Sequence, residues 1–228
     1  MPPAGLLQDS VGAIEDHSRK IELDTLIKEI FGAMRETTDG IRQVRDIVLT
    51  VKEFAHPGSG AQETDIHRIV ESALTFCRSR TKNIVRIETD LMRDAPMLTC
   101  QRGPIQQVLV NLIVNAVEAI EEQGSSDGVI KIVTRISGGS FRITICDNGP
   151  GIPEAIREKV FDPFFTTKQV GKGTGQGLAL AKDVVVKQHG GRLFLEDTEG
   201  FTTTFVIELP LTPPETGSRK RRSGHDRV

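Results

Sequence analysis

After residue 63 the chain alternates helix-like and strand-like patterns, and this order constrains the fold more than any other feature. Thr64 or Asp65 is a suitable N-cap for a helix that runs to about Arg80. Pro104 opens a second, strongly apolar helix that ends near Gln123. A third helix is predicted to end near His189, after a stretch rich in glycine, proline and threonine.

Strand-like segments of alternating or continuous apolar residues lie between and after these helices. They are residues 85–89, 129–136, 141–147, 192–196 and 203–209. The second and third are joined only by a short turn, whereas a purely parallel sheet needs a crossover between every pair of strands. We therefore predict an α+β domain over residues 61–212, a two-layer α/β sandwich whose mixed sheet carries helices on one face.

The N-terminal part, residues 1–60, has a different pattern, with apolar residues repeating in steps of three and four. The repeat is formed by Leu23, Ile27, Ile30, Met34, Ile41, Val44, Val48, Val51 and Ala55. Such a heptad seam, with a shorter apolar stub from Leu6 to Ile14 before it, predicts an α-helical hairpin. We expect the hairpin to pair with a second copy as a four-helix bundle and homodimer; the alternative is a hairpin folded onto its own domain.

Composition excludes several classes of function. The net charge is −2 and the chain lacks both Trp and Tyr, so no nucleic-acid partner is expected. Cys77, Cys100 and Cys146 lack metal-ligand spacing and predict buried thiols in a reducing compartment. No apolar run reaches the roughly 20 residues of a membrane span, and no signal peptide is recognised. We expect a cytoplasmic protein with no membrane segment and a disordered tail at residues 213–228.

Two short blocks carry polar groups with a plausible chemical role. Asn111 and Asn115 lie four residues apart and so share one helical face. A carboxamide oxygen is a neutral hard ligand suited to Mg²⁺, although the spacing taken alone is better explained by a pair of polar surface residues. Asp147 follows a strand and is trailed by Gly149 and Gly151, so its carboxylate can accept a hydrogen bond from a base amine while the backbone approaches the ring. A tight turn is the alternative.

Two further blocks precede the third helix. Three phenylalanines, Phe161, Phe164 and Phe165, stand in one polar loop, which indicates a mobile flap held to the domain. The glycine-rich run from Gly171 to Leu178 leads into the helix and offers backbone N–H groups and a helix N-terminus to phosphate. The run is neither a Walker loop nor a dinucleotide fingerprint, because no strand precedes it and no βαβ unit surrounds it.

In this order and spacing, the four blocks resemble the N, G1, F and G2 boxes of sensor histidine kinases, within the ATPase superfamily shared with gyrase and heat-shock chaperones. The resemblance covers about residues 64–210 and implies that Asn115 holds Mg²⁺, assisted by Asn111, while Asp147 binds the adenine amine of ATP. One of two lysines would neutralise phosphate charge. Glu118 stands where many relatives carry a basic residue, which argues against a phosphate contact from this helix. The implied nucleotide-binding positions are Asn111, Asn115, Asp147, Gly149, Gly151, Lys168, Lys172, Gly173, Thr174, Gly175, Gly177, Leu178 and Thr203.

A kinase of this type transfers the γ-phosphate of ATP to a histidine followed by an acidic residue, and then to a response regulator receiver domain. None of the five histidines has that context on the first helix of a bundle: His17 is followed by Ser-Arg-Lys, and His225, although Asp226 follows it, lies in the predicted disordered tail. The expected acceptor therefore lies on a segment upstream of Met1 or on a partner chain. The alternatives are a stand-alone ATP-dependent dimeric switch or trans-acting kinase subunit, and a gyrase-like ATPase. The last is disfavoured because Asn111 replaces the water-activating Glu.

Overall fold

The computed structural model describes Leu23, residues 25–27 and 29–34, Thr37, Gly40, and residues 60–168 and 173–212. The chain divides into two compact units, one built from Met1–Ala55 with Val170–Lys172 and the other from the rest. The described residues of the first unit are helical, and Leu23, Ile30 and Met34 are at least half exposed. The predicted hairpin turn, the seam after Gly40 and the tail at residues 213–228 lie outside the described residues.

The second unit contains the predicted alternation of helices and strands. Its helices are α1 (Ile66–Thr81), α2 (Arg102–Gln123) and α3 (Gly177–Asp183), and α3 continues as a π-helical turn over Val184–Gln188. Its strands are β1 (Gln62–Thr64), β2 (Val85–Asp90), β3 (Leu98–Cys100), β4 (Gly128–Ser137), β5 (Ser140–Asp147), β6 (Arg192–Leu195) and β7 (Thr203–Pro210). Two 3₁₀ turns, Glu154–Ile156 and Lys159–Phe161, separate β5 from the glycine-rich run.

The main sheet has five strands in the order β2-β4-β5-β7-β6. β2 pairs with β4 in parallel and the remaining neighbours are antiparallel, which confirms the predicted mixed sheet. Asp147 ends β5 directly opposite Thr203, where β7 begins. β1 and β3 form a separate antiparallel ribbon that the sequence did not predict, because three-residue strands are too short to show a period.

The helices cover one face of the sheet, and α2 lies at the centre of the core. Nine α2 side chains are buried, among them Leu109, Leu112 and Ile113. Among the described residues, α2 alone has the length and mean hydropathy of a membrane-spanning helix, and half of that stretch is buried within the domain. The core helix of a globular domain can pass the same test of length and hydropathy, because its buried face is strongly apolar.

Local signals set most element boundaries correctly. The Asp65 side chain accepts a hydrogen bond from the His67 N–H at 2.9 Å and so caps α1, as predicted. α2 begins at Arg102 rather than at Pro104, which lies in the first turn, where its missing N–H costs nothing. The three cysteines are buried free thiols, and burial raises the pKa of Cys77 to about 11.

Candidate functional site

Asp147 is a buried carboxylate at the end of β5. It is 2% exposed, and its Oδ1 accepts a hydrogen bond from the Gly149 N–H at 3.0 Å. Burial raises its pKa from 3.8 to about 6, while the Gly149 and Thr203 hydrogen bonds lower it. A carboxylate in this setting is a strong acceptor for a donor that enters the pocket, because water competes weakly for it.

The loop after Asp147 lies so close to its neighbours that glycine is needed there. A Cβ on Gly149 would lie 2.9 Å from Asp147 Oδ1 and 3.5 Å from the Ala119 side chain of α2. Gly151 has φ +80°, a region that L side chains rarely adopt. The predicted turn is therefore present, and its glycines bring the backbone against the carboxylate and against α2.

Two polar residues that the sequence did not single out hold this loop in place. The Thr202 hydroxyl donates towards the carbonyl oxygens of Asp147 at 3.1 Å and of Gly149 at 2.7 Å. Asn148 accepts a hydrogen bond from the Val129 N–H at 2.7 Å and donates to the Asp127 carbonyl at 2.8 Å. Neither role can be predicted from the sequence, because the residues that Thr202 and Asn148 bind are distant along the chain.

α2 presents Asn111, Asn115 and Glu118 on one polar face. The Asn111 amide donates to the Gly177 carbonyl at 3.3 Å and its oxygen accepts from Gln107 at 2.9 Å. Asn115 is half-buried, and its side chain makes no hydrogen bond with another residue in the described part of the chain. Asn111 thus binds the start of α3, and the Asn115 carboxamide is left available for a ligand.

The glycine-rich segment contacts α2 through Gly177 and the phenylalanine loop through Gly175. The Gly175 carbonyl accepts a hydrogen bond from the Phe164 N–H at 2.9 Å, and Gly175 has φ +62°. A Cβ there would lie 2.4 Å from the Phe164 carbonyl carbon, so glycine is required. Thr174 accepts from the Gln176 N–H at 3.3 Å, and Leu178 packs against the core cluster. Gly173 lies beside Thr166 and Lys168.

Lys168 and Lys172 are the two candidate phosphate lysines. Lys168 Nζ contacts Glu118 Oε2, and its side chain is 22% exposed. Lys172 lies outside the described residues. Lys168 is therefore the lysine that the described structure brings to the polar face of α2.

The three phenylalanine rings of the loop at residues 161–165 differ in their burial. Phe161 is buried and meets the Phe205 ring edge-to-face at 6.2 Å, and Phe165 packs on the core. Phe164 is 72% exposed with φ +67°. The expectation that all three rings hold the loop to the domain is therefore wrong for Phe164, whose backbone makes the contact instead.

These features form one elongated site along α2. A buried acceptor and a glycine-containing loop lie beside Ala119, and an amide, an ammonium group and a glycine-rich segment lie towards Asn111. A ligand that fits has a ring with hydrogen-bond donors at one end and anionic groups at the other, as a purine nucleotide does. The fold and the site together define a nucleotide-binding α+β domain.

Comparison with known proteins gives the family. Residues 100–213 match the family model described as "Histidine kinase-, DNA gyrase B-, and HSP90-like ATPase", and the chain belongs to this family. It is 35% identical over 179 residues to the C4-dicarboxylate transport sensor protein DctB of Rhizobium meliloti, covering 78% of this chain and 27% of that protein. The signal transduction histidine-protein kinase AtoS of Escherichia coli is 33% identical over 193 residues, 83% of this chain and 30% of that protein.

Solved structures agree with this assignment. The catalytic domain of histidine kinase ThkA superposes with a TM-score of 0.59 at 30% identity, covering 68% of this chain and 98% of that domain. The chain therefore carries the ATP-binding catalytic domain of a two-component sensor histidine kinase. It spans less than a third of the length of DctB or AtoS.

Proposed function

We propose that the site binds ATP with Mg²⁺ and directs the γ-phosphate to a histidine other than the five in this sequence. The buried carboxylate of Asp147 carries the proposal: it would accept the adenine amine, with the backbone of Gly149 and Gly151 held close beside it. Thr203 supports that carboxylate from β7. In phosphoryl transfer the protein acts mainly by positioning and by neutralising charge, which suits the groups found along α2.

The phosphate half uses the remaining predicted residues. Gly173, Thr174, Gly175 and Gly177 present backbone N–H groups to phosphate at the start of α3, and Leu178 anchors that turn in the core. Lys168 contributes positive charge, and Lys172 stays a candidate for the same role. Asn111 fixes the start of α3 through the Gly177 carbonyl. We assign the catalytic role, in the sense of holding the reacting phosphates, to Asn111 and Asn115.

The residues present fit a magnesium ion at Asn115. Its half-buried carboxamide has an oxygen with no hydrogen-bond donor among the described residues, and that oxygen is a hard neutral ligand. No group of three His, Cys, Asp or Glu side chains that could hold a metal occurs in the described part of the chain, so phosphates and water would complete the shell. When bound, Mg²⁺ neutralises phosphate charge and orients the triphosphate.

The acceptor is proposed to lie on another segment or on a partner chain. A phosphoacceptor must present a free imidazole nitrogen at the surface, but both ring nitrogens of buried His189 are engaged, at 2.8 Å from the Val184 carbonyl and 3.0 Å from the Gln101 N–H. His67 is half-buried, and its Nε2 lies 3.0 Å from the Thr134 hydroxyl. His17, His56 and His225 lie outside the described residues. Neither His17 nor His56 is followed by an acidic residue, and His225, although followed by Asp226, belongs to the polar stretch after Pro213 and not to an apolar heptad repeat.

Assembly and localisation follow as parts of the same proposal. The exposed apolar side chains Leu23, Ile30 and Met34 in the N-terminal unit support a homodimer formed through residues 1–60. The catalytic domain would span residues 61–212. The related ThkA has been solved in complex with a response regulator protein, TrrA, at 26% identity and a TM-score of 0.58, which supports a receiver-domain partner here. We place the domain in the cytoplasm, the compartment that supplies ATP and keeps thiols reduced.

The test combines nucleotide binding with detection of phosphohistidine. Calorimetry should show ATP binding that strengthens with Mg²⁺, and γ-labelled ATP should leave no acid-labile phosphate on the chain alone. Adding a separate polypeptide that carries a histidine-acidic acceptor helix should produce labelled phosphohistidine on that polypeptide. Label on any of the five histidines would contradict the assignment of the acceptor. ATP binding without transfer to any acceptor would favour the ATP-dependent switch instead.

A further inference from the structure

Glu118 is the charged member of the polar face of α2, three residues after Asn115. Its two carboxylate oxygens bind two different cations. Oε1 receives Arg80 Nη1 at 3.0 Å, from the last turn of α1, and Oε2 receives Lys168 Nζ. The three side chains carry a summed charge of +1, so the cluster attracts anions even though a carboxylate lies at its centre.

Lys168 lies where α2 meets the glycine-rich segment. A Cβ on Gly173 would be 3.3 Å from Lys168 Cδ, so the lysine stem runs alongside that glycine. Its ammonium group has three N–H donors, and one contact to Glu118 leaves two for another ligand. Glu118 therefore fixes a partly free ammonium group between Asn115 and the glycine-rich segment.

We propose that Glu118 is a positioning residue for phosphate binding: it holds Lys168 on the polar face of α2, so that the ammonium group meets the triphosphate. This inference rests on the proposed function and deepens it. A lysine side chain is flexible and loses rotamer freedom when it binds. Because Glu118 already restricts that freedom in the folded protein, Lys168 loses less on binding nucleotide.

Arg80 explains why a carboxylate is tolerated beside phosphates. Its guanidinium occupies the oxygen that Lys168 does not use, and it offsets the negative charge of Glu118. Without Glu118, two neighbouring cations would repel each other and Lys168 would turn towards solvent. The opposite role, in which Glu118 competes with nucleotide for Lys168, predicts an effect of opposite sign and is therefore separable by experiment.

The test measures adenosine, ADP and ATP affinity by NMR titration of the full chain and its variants. Lys168→Met should weaken ATP binding about tenfold, the loss expected for one charge-assisted hydrogen bond. Glu118→Gln should weaken ATP binding about threefold, because the ammonium group stays but is no longer held. Adenosine affinity should not change in either variant. Glu122→Gln, an exposed glutamate on the same helix, is the matched control and should bind all three ligands as the wild type does.

The charge exchange Glu118→Lys with Lys168→Glu provides the rescue. It returns an ammonium group to the polar face of α2 with its carboxylate partner opposite, while exposed Arg80 can turn to solvent. The double variant should bind ATP more tightly than Glu118→Lys alone or Lys168→Glu alone. Unchanged or tighter ATP binding by Glu118→Gln, or no rescue, would overturn the positioning role alone. A wild type that binds none of the three ligands would overturn the proposed function as well.

Discussion

The two ends of the proposed nucleotide site are built in different ways. At the base end, Asp147 is buried, and Gly149 and Thr203 hydrogen-bond its carboxylate while Thr202 binds the adjoining backbone. At the proposed phosphate end, the Asn115 side chain makes no hydrogen bond within residues 60–168 and 173–212, and Lys168 is held by a partly buried ion pair. Folding therefore completes the base end, whereas the phosphate end keeps polar groups that a ligand must complete.

The largest expected effect is at the base end. Asp147→Asn replaces a charged acceptor by an amide and should weaken ATP and ADP binding by about 10- to 100-fold, corresponding to roughly 1.5–3 kcal/mol for a hydrogen bond to a charged group. Calorimetry measures this change. Asp90→Asn, a half-exposed aspartate on the far edge strand, is the control and should not alter affinity. Equal affinities for wild type and Asp147→Asn would show that the base does not bind at this carboxylate.

Asp147→Asn should raise the folding stability of the ligand-free domain, although it weakens nucleotide binding. Because the folded-state pKa of Asp147, about 6, lies above its ordinary value of 3.8, ionisation of this group opposes folding. The cost is absent below pH 4, grows as the pH rises towards 6 and is constant above that, at roughly 2–3 kcal/mol. Without nucleotide, Asp147→Asn should therefore melt at a higher temperature than the wild type at pH 7.5, with the difference vanishing near pH 4. A pH-independent difference would mean that the carboxylate is not desolvated.

Nucleotide affinity of the wild type should also depend on pH. The adenine amine needs an ionised acceptor, so binding should weaken as the pH falls through about 6 and Asp147 takes up a proton. Calorimetric titrations between pH 5 and 8 would measure this, with Asp147→Asn losing the dependence. If the variant retained the wild-type profile, another group would be responsible.

A smaller effect is expected in the glycine-rich segment. Gly175→Ala combines a positive φ with a clash against the Phe164 carbonyl, whereas Gly200→Ala has the same backbone strain and open space around the new methyl group. Both should lose about 1–2 kcal/mol to the left-handed conformation, but only Gly175→Ala should also weaken ATP binding. Thermal unfolding measures the loss of folding stability, and parallel binding measurements give the loss of ATP affinity separately. Equal ATP affinity of both variants would show that the Phe164–Gly175 contact does not shape the phosphate end.

The smallest effect is expected at the proposed metal ligand. Asn115→Ala should weaken ATP binding about fivefold in the presence of Mg²⁺ and hardly at all without it, because one neutral ligand among several is lost. Gln107→Ala removes a neighbouring carboxamide whose side chain hydrogen-bonds Asn111, and it is a suitable comparison. An equal loss with and without Mg²⁺ would contradict the metal role and assign Asn115 to direct phosphate contact.

Local patterns in the sequence predicted most of this domain. Periodicity and capping located α1 and α2 to within two residues, and the turn at residues 137–140 predicted the β4–β5 hairpin. The four blocks identified Asn111, Asn115 and Asp147 because their spacing in the chain is itself the signal. These features depend on neighbouring residues or on the order of short blocks along the chain, and both can be read directly from a sequence.

Only the tertiary structure decided which residues complete the site. Glu118 meets Lys168 across 50 positions of the chain, Thr202 reaches Asp147 from the next strand, and Phe164 needs Gly175 for its backbone contact. Such pairs obey no periodicity, since packing brings them together and their chemical types permit many other partners. The sequence alone therefore determined the kind of domain and the ligand class, while the contacts around the proposed phosphate site became visible only in the folded chain.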